Sequence, residues 1–223
     1  MFVVIEGIDG SGKGTVTKEL QAVLSRKVIA RSISFPRYAE TLYGQLIGRY
    51  LNGEFGTNTH PYLHGTLYSI DRFEMRPYLQ EMIRTSDIVI SDRYIPSNLC
   101  YSAMKAAPEE RDAVVRHFIE LEYDIFKMPV PDIIIFLDVP TKFAVQNIAK
   151  KAARDYTDKP ADLHEADTDY LEQVRAFYMS KMMEFHPSTQ FVVIPCVADG
   201  ELLPIDVIVK RIIVELFSMS EGS

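Results

Sequence analysis

The chain has 223 residues, a formal net charge of −7, 47% hydrophobic and 25% charged residues, a length and make-up that suit one α/β domain with a sizeable core. The acidic balance argues against a protein that grips a nucleic-acid backbone, although a few local cations suffice for small anionic ligands. No apolar run approaches the ~20 residues of a membrane span, so no membrane partner is expected.

The first strand candidate, Phe2–Glu6, starts so early that a targeting peptide has no room, and the expectation is a cytoplasmic enzyme. Val16, Leu20, Val23 and Leu24 then repeat at helical spacing. A second strand is expected at Val28–Phe35, an apolar helix around Leu63–Met82, and a third strand at Ile88–Asp92. Val114, Phe118, Leu121 and Ile125 mark another helical face. Strands four and five are expected at Ile133–Asp138 and Phe191–Pro195, and Ile205, Ile208, Ile212 and Leu216 form a last helical face behind Pro204. Several strand runs are continuously apolar, as in strands buried on both faces, and strands alternate with helices. The predicted architecture is a doubly wound parallel five-stranded sheet in a single domain over 1–223. Ligands of such sheets bind beyond the carboxyl ends of the strands. Cys100 and Cys196 show no metal-ligand spacing and read as small buried apolar groups.

The stretch FVVIEGIDGSGKGT at 2–15 carries G-x-x-x-x-G-K between a strand and a helix. This is a phosphate-binding loop in its required context. Gly10 and Gly12 allow positive φ and close approach of the main chain to an anion. The N–H groups of Gly7 to Thr15, with Asp9, Ser11 and Gly14 between them, and the helix N-terminus would cradle phosphates, with Lys13 reaching the β- and γ-phosphates. Gly14 stands where a Ser or Thr usually ligates Mg²⁺, and Asp9 is the nearest acidic candidate for that ion.

The third strand ends in Asp92-Arg93-Tyr94, followed by IPSNLCYS. An arginine there can bridge two phosphates, and the aspartate can orient the arginine, the metal shell or a nucleophilic phosphate. FPRY at 35–38, TLYSIDR at 66–72, and Asp162 and Glu165 in a charged stretch complete an ordered set of motifs. Together with the loop, this set resembles the thymidylate kinase family over nearly the whole chain, most closely the bacterial-type members with FPRY. The resemblance implies a P-loop nucleoside monophosphate kinase fold, with ATP and dTMP as substrates, Mg²⁺ as cofactor and a homodimer. It places Lys13, Asp92 and Arg93 in catalysis, with Arg93 bridging the donor and acceptor phosphates. Phe35, Arg37 and Tyr38 would line the dTMP site with Ser97. Tyr68 would stack on thymine, Arg72 and Asn98 would hydrogen-bond its edge, and Tyr101 would crowd a 2′-hydroxyl. The dimer would use the helix around Leu63–Met82.

The segment Lys150–Asp169 is charged, poor in apolar residues and interrupted by Pro160, as expected of a mobile lid. The phosphate loop has no basic residue between Ile8 and Lys13, so by resemblance a lid cation would serve catalysis. Lys150, Lys151 and Arg154 are candidates, Arg154 first because its fork suits phosphate oxygens. Asp162 and Glu165 would lie near the acceptor and metal, and Asn147 near the adenine. Rival readings are another nucleoside monophosphate or deoxynucleoside kinase, or a nucleotide-binding switch protein. The N/T-K-x-D guanine reader of such switches is missing from the sequence.

Overall fold

The computed structural model describes residues 1–56, 59–150, 168–185 and 188–218. Among these, five parallel strands form the central sheet: β1 (Phe2–Glu6), β2 (Ala30–Ser34), β3 (Ile88–Asp92), β4 (Ile133–Asp138) and β5 (Gln190–Pro195). Their order is β2-β3-β1-β4-β5. Every residue of β1 is buried, as the apolar run Phe2–Ile5 suits a central strand covered on both faces, and the strand ends in the buried carboxylate Glu6. The helices are α1 (Lys13–Leu24), α2 (Leu42–Leu51), α3 (Pro61–Glu74), α4 (Arg76–Thr85), α5 (Ile95–Met104), α6 (Arg111–Ile119), α7 (Thr141–Lys150), α8 (Thr168–Phe185) and α9 (Ile205–Ser218). α1 packs on α9, and α5 packs on α3, α6 and α8. The expected doubly wound sheet is therefore present, with strand two shorter than Val28–Phe35.

Two helical expectations change in detail. The apolar stretch Leu63–Met82 is not one helix. It breaks at Met75, because Pro77 has no N–H and sits in the first turn of a new helix, α4. Ile125 leaves the face it was expected to share with Phe118 and is 61% exposed. The cause is a π-helical segment, Glu120–Ile125, closed by Phe126 N–H donating to the Leu121 carbonyl five residues back. Each wider turn rotates the following side chains off the 3.6-residue phase. A two-residue antiparallel pair, Val197–Ala198 with Glu201–Leu202, turns through Asp199 and Gly200, both at positive φ. The Asp-Gly pair is the local signal for that hairpin.

The sheet order positions the site. β3 lies between β1 and β2. The phosphate loop leaves β1, FPRY leaves β2 and Asp92-Arg93 ends β3, so the last stands between the other two on the carboxyl edge.

Candidate active site

That edge opens into a cleft of about 1080 Å³. Its loop side is lined by Asp9, Gly10, Gly12 to Thr15, Asn147 and Lys150. The other side carries Phe35, Tyr38, His64, Tyr68 and Arg72, and Asp92, Arg93, Ser97, Asn98 and Tyr101 also face it. Gly7 and Ser11 are buried and do not line it.

The loop is held from below and from the side. Gly10 has φ +80°, and a Cβ there would stand 2.1 Å from the Ala144 carbonyl oxygen of α7. Asn147, also on α7, donates from Nδ2 to the Gly10 carbonyl at 2.9 Å. The residue expected near the adenine is thus seen to clamp the loop. Gly12 caps α1 at φ 85°. Lys13 is buried, and its ammonium donates to the Ile8 carbonyl at 2.8 Å and to Ser11 Oγ at 3.4 Å. Burial, with Arg93 nearby, lowers its pKa to about 8. A Cβ on Gly14 would lie 3.1 Å from Asp92 Oδ2, so Asp92 abuts the loop.

Arg93 adopts a left-handed backbone, φ 64°, with its N–H on the Ile5 carbonyl at 3.0 Å. That conformation is costly for a side chain and is held by its surroundings. The guanidinium pairs with Asp9 Oδ1, donates to Ser97 Oγ at 3.0 Å and lies 5.6 Å from the Tyr101 ring centre. Burial opposes the charge on Arg93, yet Asp9 beside it keeps its pKa well above the ordinary value. Tyr101 donates to Asp9 Oδ2 at 2.8 Å and accepts from the Asp9 N–H at 3.2 Å.

Three buried carboxylates that the sequence reading did not single out hold these groups. Glu6 accepts from the Tyr94 and Ser97 amides and from the Ser97 and Tyr178 hydroxyls. Burial pushes its pKa up, with Arg93 and Ser97 acting against that. Asp71 accepts from the Arg37 amide at 3.1 Å and from Thr41 Oγ1, which fixes the FPRY backbone. Its pKa is also raised by burial. Glu122, in the π-helical segment, accepts from Arg72, Ser69 and Asn98.

Arg72 is therefore no surface cation; it is 1% exposed, and Nε and Nη2 are spent on Glu122. The Asn98 amide nitrogen is turned inward to Gly65, Ser69 and Glu122, and its oxygen accepts from Ser102 at 3.0 Å. Among the described residues, Arg37 is the one expected dTMP-site residue that does not line the cleft. Its fork turns to Glu40, three residues on, while Asp71 holds its amide. Lys151, Arg154, Asp162 and Glu165 lie outside the described residues.

Among the described residues no three His, Cys, Asp or Glu side chains cluster as a protein-only metal site. The carboxylates of Asp9 and Asp92 beside the loop are hard oxygen donors. They suit Mg²⁺, which takes one or two carboxylates and completes its shell with phosphate oxygens and water. Among the described residues no helix is long and apolar enough to cross a membrane.

Known proteins resemble this chain in sequence and in fold. A thymidylate kinase from Candida albicans superposes with a TM-score of 0.71 over 99% of this chain and 92% of that one; at 20% identity the likeness speaks for the fold. A thymidylate kinase of Mycobacterium tuberculosis is 29% identical over 182 residues, which is 80% of this chain and 84% of that protein. A probable thymidylate kinase of Pyrobaculum aerophilum is 31% identical over 184 residues, covering 82% and 83%. The family model described as thymidylate kinase matches residues 5–194, most of the chain, and the protein belongs to the thymidylate kinase family.

Proposed function

We propose that the protein transfers the γ-phosphoryl group of ATP to dTMP, giving dTDP and ADP. One observation carries the reading. The sheet order sets Asp92 and Arg93 between the phosphate loop and the FPRY segment, all on one edge. Phosphoryl transfer asks little covalent chemistry of a protein. It asks that two phosphates be held in line and that developing charge be neutralised.

In this reading the loop amides of Gly10 to Thr15 and Lys13 hold the donor phosphates. Arg93 bridges donor and acceptor, and Asp92 organises the acceptor phosphate. Tyr68 stacks on thymine, with Phe35 and Tyr38 beside it. Arg72 offers the base the part of its fork not spent on Glu122, and Asn98 the remaining capacity of its oxygen. Tyr101 stands where a 2′-hydroxyl would be crowded. Arg37 swings from Glu40 to the incoming monophosphate. Mg²⁺ would be held by Asp9 with Asp92 nearby, and it would offset negative charge on the phosphates.

The single domain would close a lid of about 150–169 over both nucleotides, with Arg154 supplying the transition-state cation and Lys150 and Lys151 assisting. A homodimer through the α3–α4 face is also proposed, where Leu63, Phe73 and Tyr78 are exposed. Free, buried Cys100 and Cys196 fit a cytoplasmic setting, and the net charge of −7 favours small nucleotides over nucleic acid.

The direct test uses ATP labelled on its γ-phosphate with Mg²⁺ and dTMP. Label should move to dTDP at the rate at which ADP forms. Label found only in inorganic phosphate would contradict the reading.

A further inference from the structure

Glu6 sits at the end of β1 with no exposed surface and does not line the cleft. Its Oε1 accepts the Tyr94 amide at 2.9 Å and the Ser97 amide at 3.2 Å. Its Oε2 accepts the Ser97 hydroxyl at 2.7 Å and the Tyr178 hydroxyl at 3.0 Å. All four partners are donors, and a carboxylate has about four acceptor positions, so the group is filled. A serine hydroxyl has one proton. Ser97 gives it to Glu6, and toward Arg93 Nη1, 3.0 Å away, Ser97 Oγ can only accept.

We propose that Glu6 is a positioning residue for Arg93: by taking the Ser97 proton it turns the Ser97 oxygen toward the guanidinium and holds the fork at the phosphates. The same carboxylate fixes the amides of Tyr94 and Ser97, which follow the left-handed Arg93, so side chain and backbone of that turn are set by one group. Tyr178 ties the arrangement to α8.

The substitution Glu6→Gln preserves shape but not hydrogen-bond polarity. Its single oxygen is needed by the two amides, which leaves an NH₂ group facing Ser97 and Tyr178. The Ser97 proton then loses the carboxylate that takes it, so nothing fixes the orientation in which the Ser97 oxygen meets Arg93. Glu6→Asp keeps the charge and retracts it by one methylene.

The inference rests on the proposed role of Arg93, so Arg93→Ala is the reference. The experiment measures kcat, KM for ATP and dTMP, and cooperative unfolding for Glu6→Gln, Glu6→Asp, Ser97→Ala and the Glu6→Gln/Ser97→Ala double variant. Misplacing a reacting group by about 1 Å can cost about 100-fold in rate. The expected result is a fall in kcat of about 10- to 100-fold in whichever Glu6 variant unfolds cooperatively, with both KM values within about threefold of the parent. The double variant should be no slower than Ser97→Ala, since both changes break one chain of bonds. Parental kcat in a folded Glu6 variant, or effects that multiply in the double variant, would overturn the proposal while an inactive Arg93→Ala leaves the role of Arg93 standing. If Arg93→Ala also turns over like the parent, the underlying reading fails with it.

Discussion

Arg72 and Glu122 form a two-pronged ion pair within the protein, Nε to Oε2 at 2.6 Å and Nη2 to Oε1 at 2.5 Å, with neither side chain more than 2% exposed. Burial works against the charge on Arg72, and Glu122 raises its pKa in spite of it. Two buried charges offset each other only when paired.

Removing one partner therefore strands the other. Glu122→Ala should cost about 3–5 kcal/mol of stability, far above the loss at an exposed glutamate. Denaturant unfolding measures it. A loss under about 1 kcal/mol would mean that the pair does not order the base pocket. The variant should also bind dTMP more weakly, since Arg72 loses its carboxylate partner and Asn98 one of its acceptors.

Lys13 gives a pH dependence with a definite sign. Without nucleotide its pKa is about 8, below the usual lysine value, because burial and Arg93 disfavour the ammonium. Phosphates favour the ammonium, so nucleotide binding raises that pKa. ATP should therefore bind with proton uptake near pH 8 and weaken as the pH climbs further. Calorimetry in two buffers of different ionisation heat reads the uptake, and Lys13→Met should abolish it. Uptake unchanged in that variant would assign the proton elsewhere.

Gly10 has no room for a side chain. A Cβ would meet the Ala144 carbonyl oxygen at 2.1 Å, and φ is +80°. Gly10→Ala should cost about 2–4 kcal/mol from overpacking and left-handed strain together. The loop would be pushed from α7, and ATP affinity should fall with it. Thermal unfolding and nucleotide titration check both effects, and parental values in both would show that the loop is not clamped there.

Glu40 competes for Arg37. The pair is partly exposed, with Glu40 at 57% side-chain exposure, so its worth is at most about 1 kcal/mol. Glu40→Ala should release the fork and lower the KM for dTMP by up to about fivefold, with kcat unchanged. A raised KM would mean that Glu40 presents Arg37 rather than withholding it.

The fold and the cleft's cations were legible from local patterns. A continuous apolar run such as Phe2–Ile5 fits a doubly covered strand, and G-x-x-x-x-G-K after it points to a loop and helix. Lys13, Asp92 and Arg93 belong to local motifs, and all three line the cleft. The carboxylates that hold them were not legible, because their partners are distant in sequence: Glu6 meets Ser97 across 91 residues and Arg72 meets Glu122 across 50. Glu6 looks like the polar end of a strand, and Glu122 like one acid among several. Glu122 reaches Arg72 from a π-helical turn that a 3.6-residue period cannot anticipate. The break at Met75 had a visible cause in Pro77, which local reading could have weighed.

Phosphoryl transfer selective for dTMP through Arg93 is open to direct measurement. The most direct measurement is ADP release with ATP and Mg²⁺ against dTMP, dUMP, AMP, UMP, thymidine and no acceptor, for the parent and Arg93→Ala. Turnover should be fastest with dTMP and absent above background in Arg93→Ala. A dTMP rate no higher than the acceptor-free background, with AMP or thymidine turning over, would contradict it.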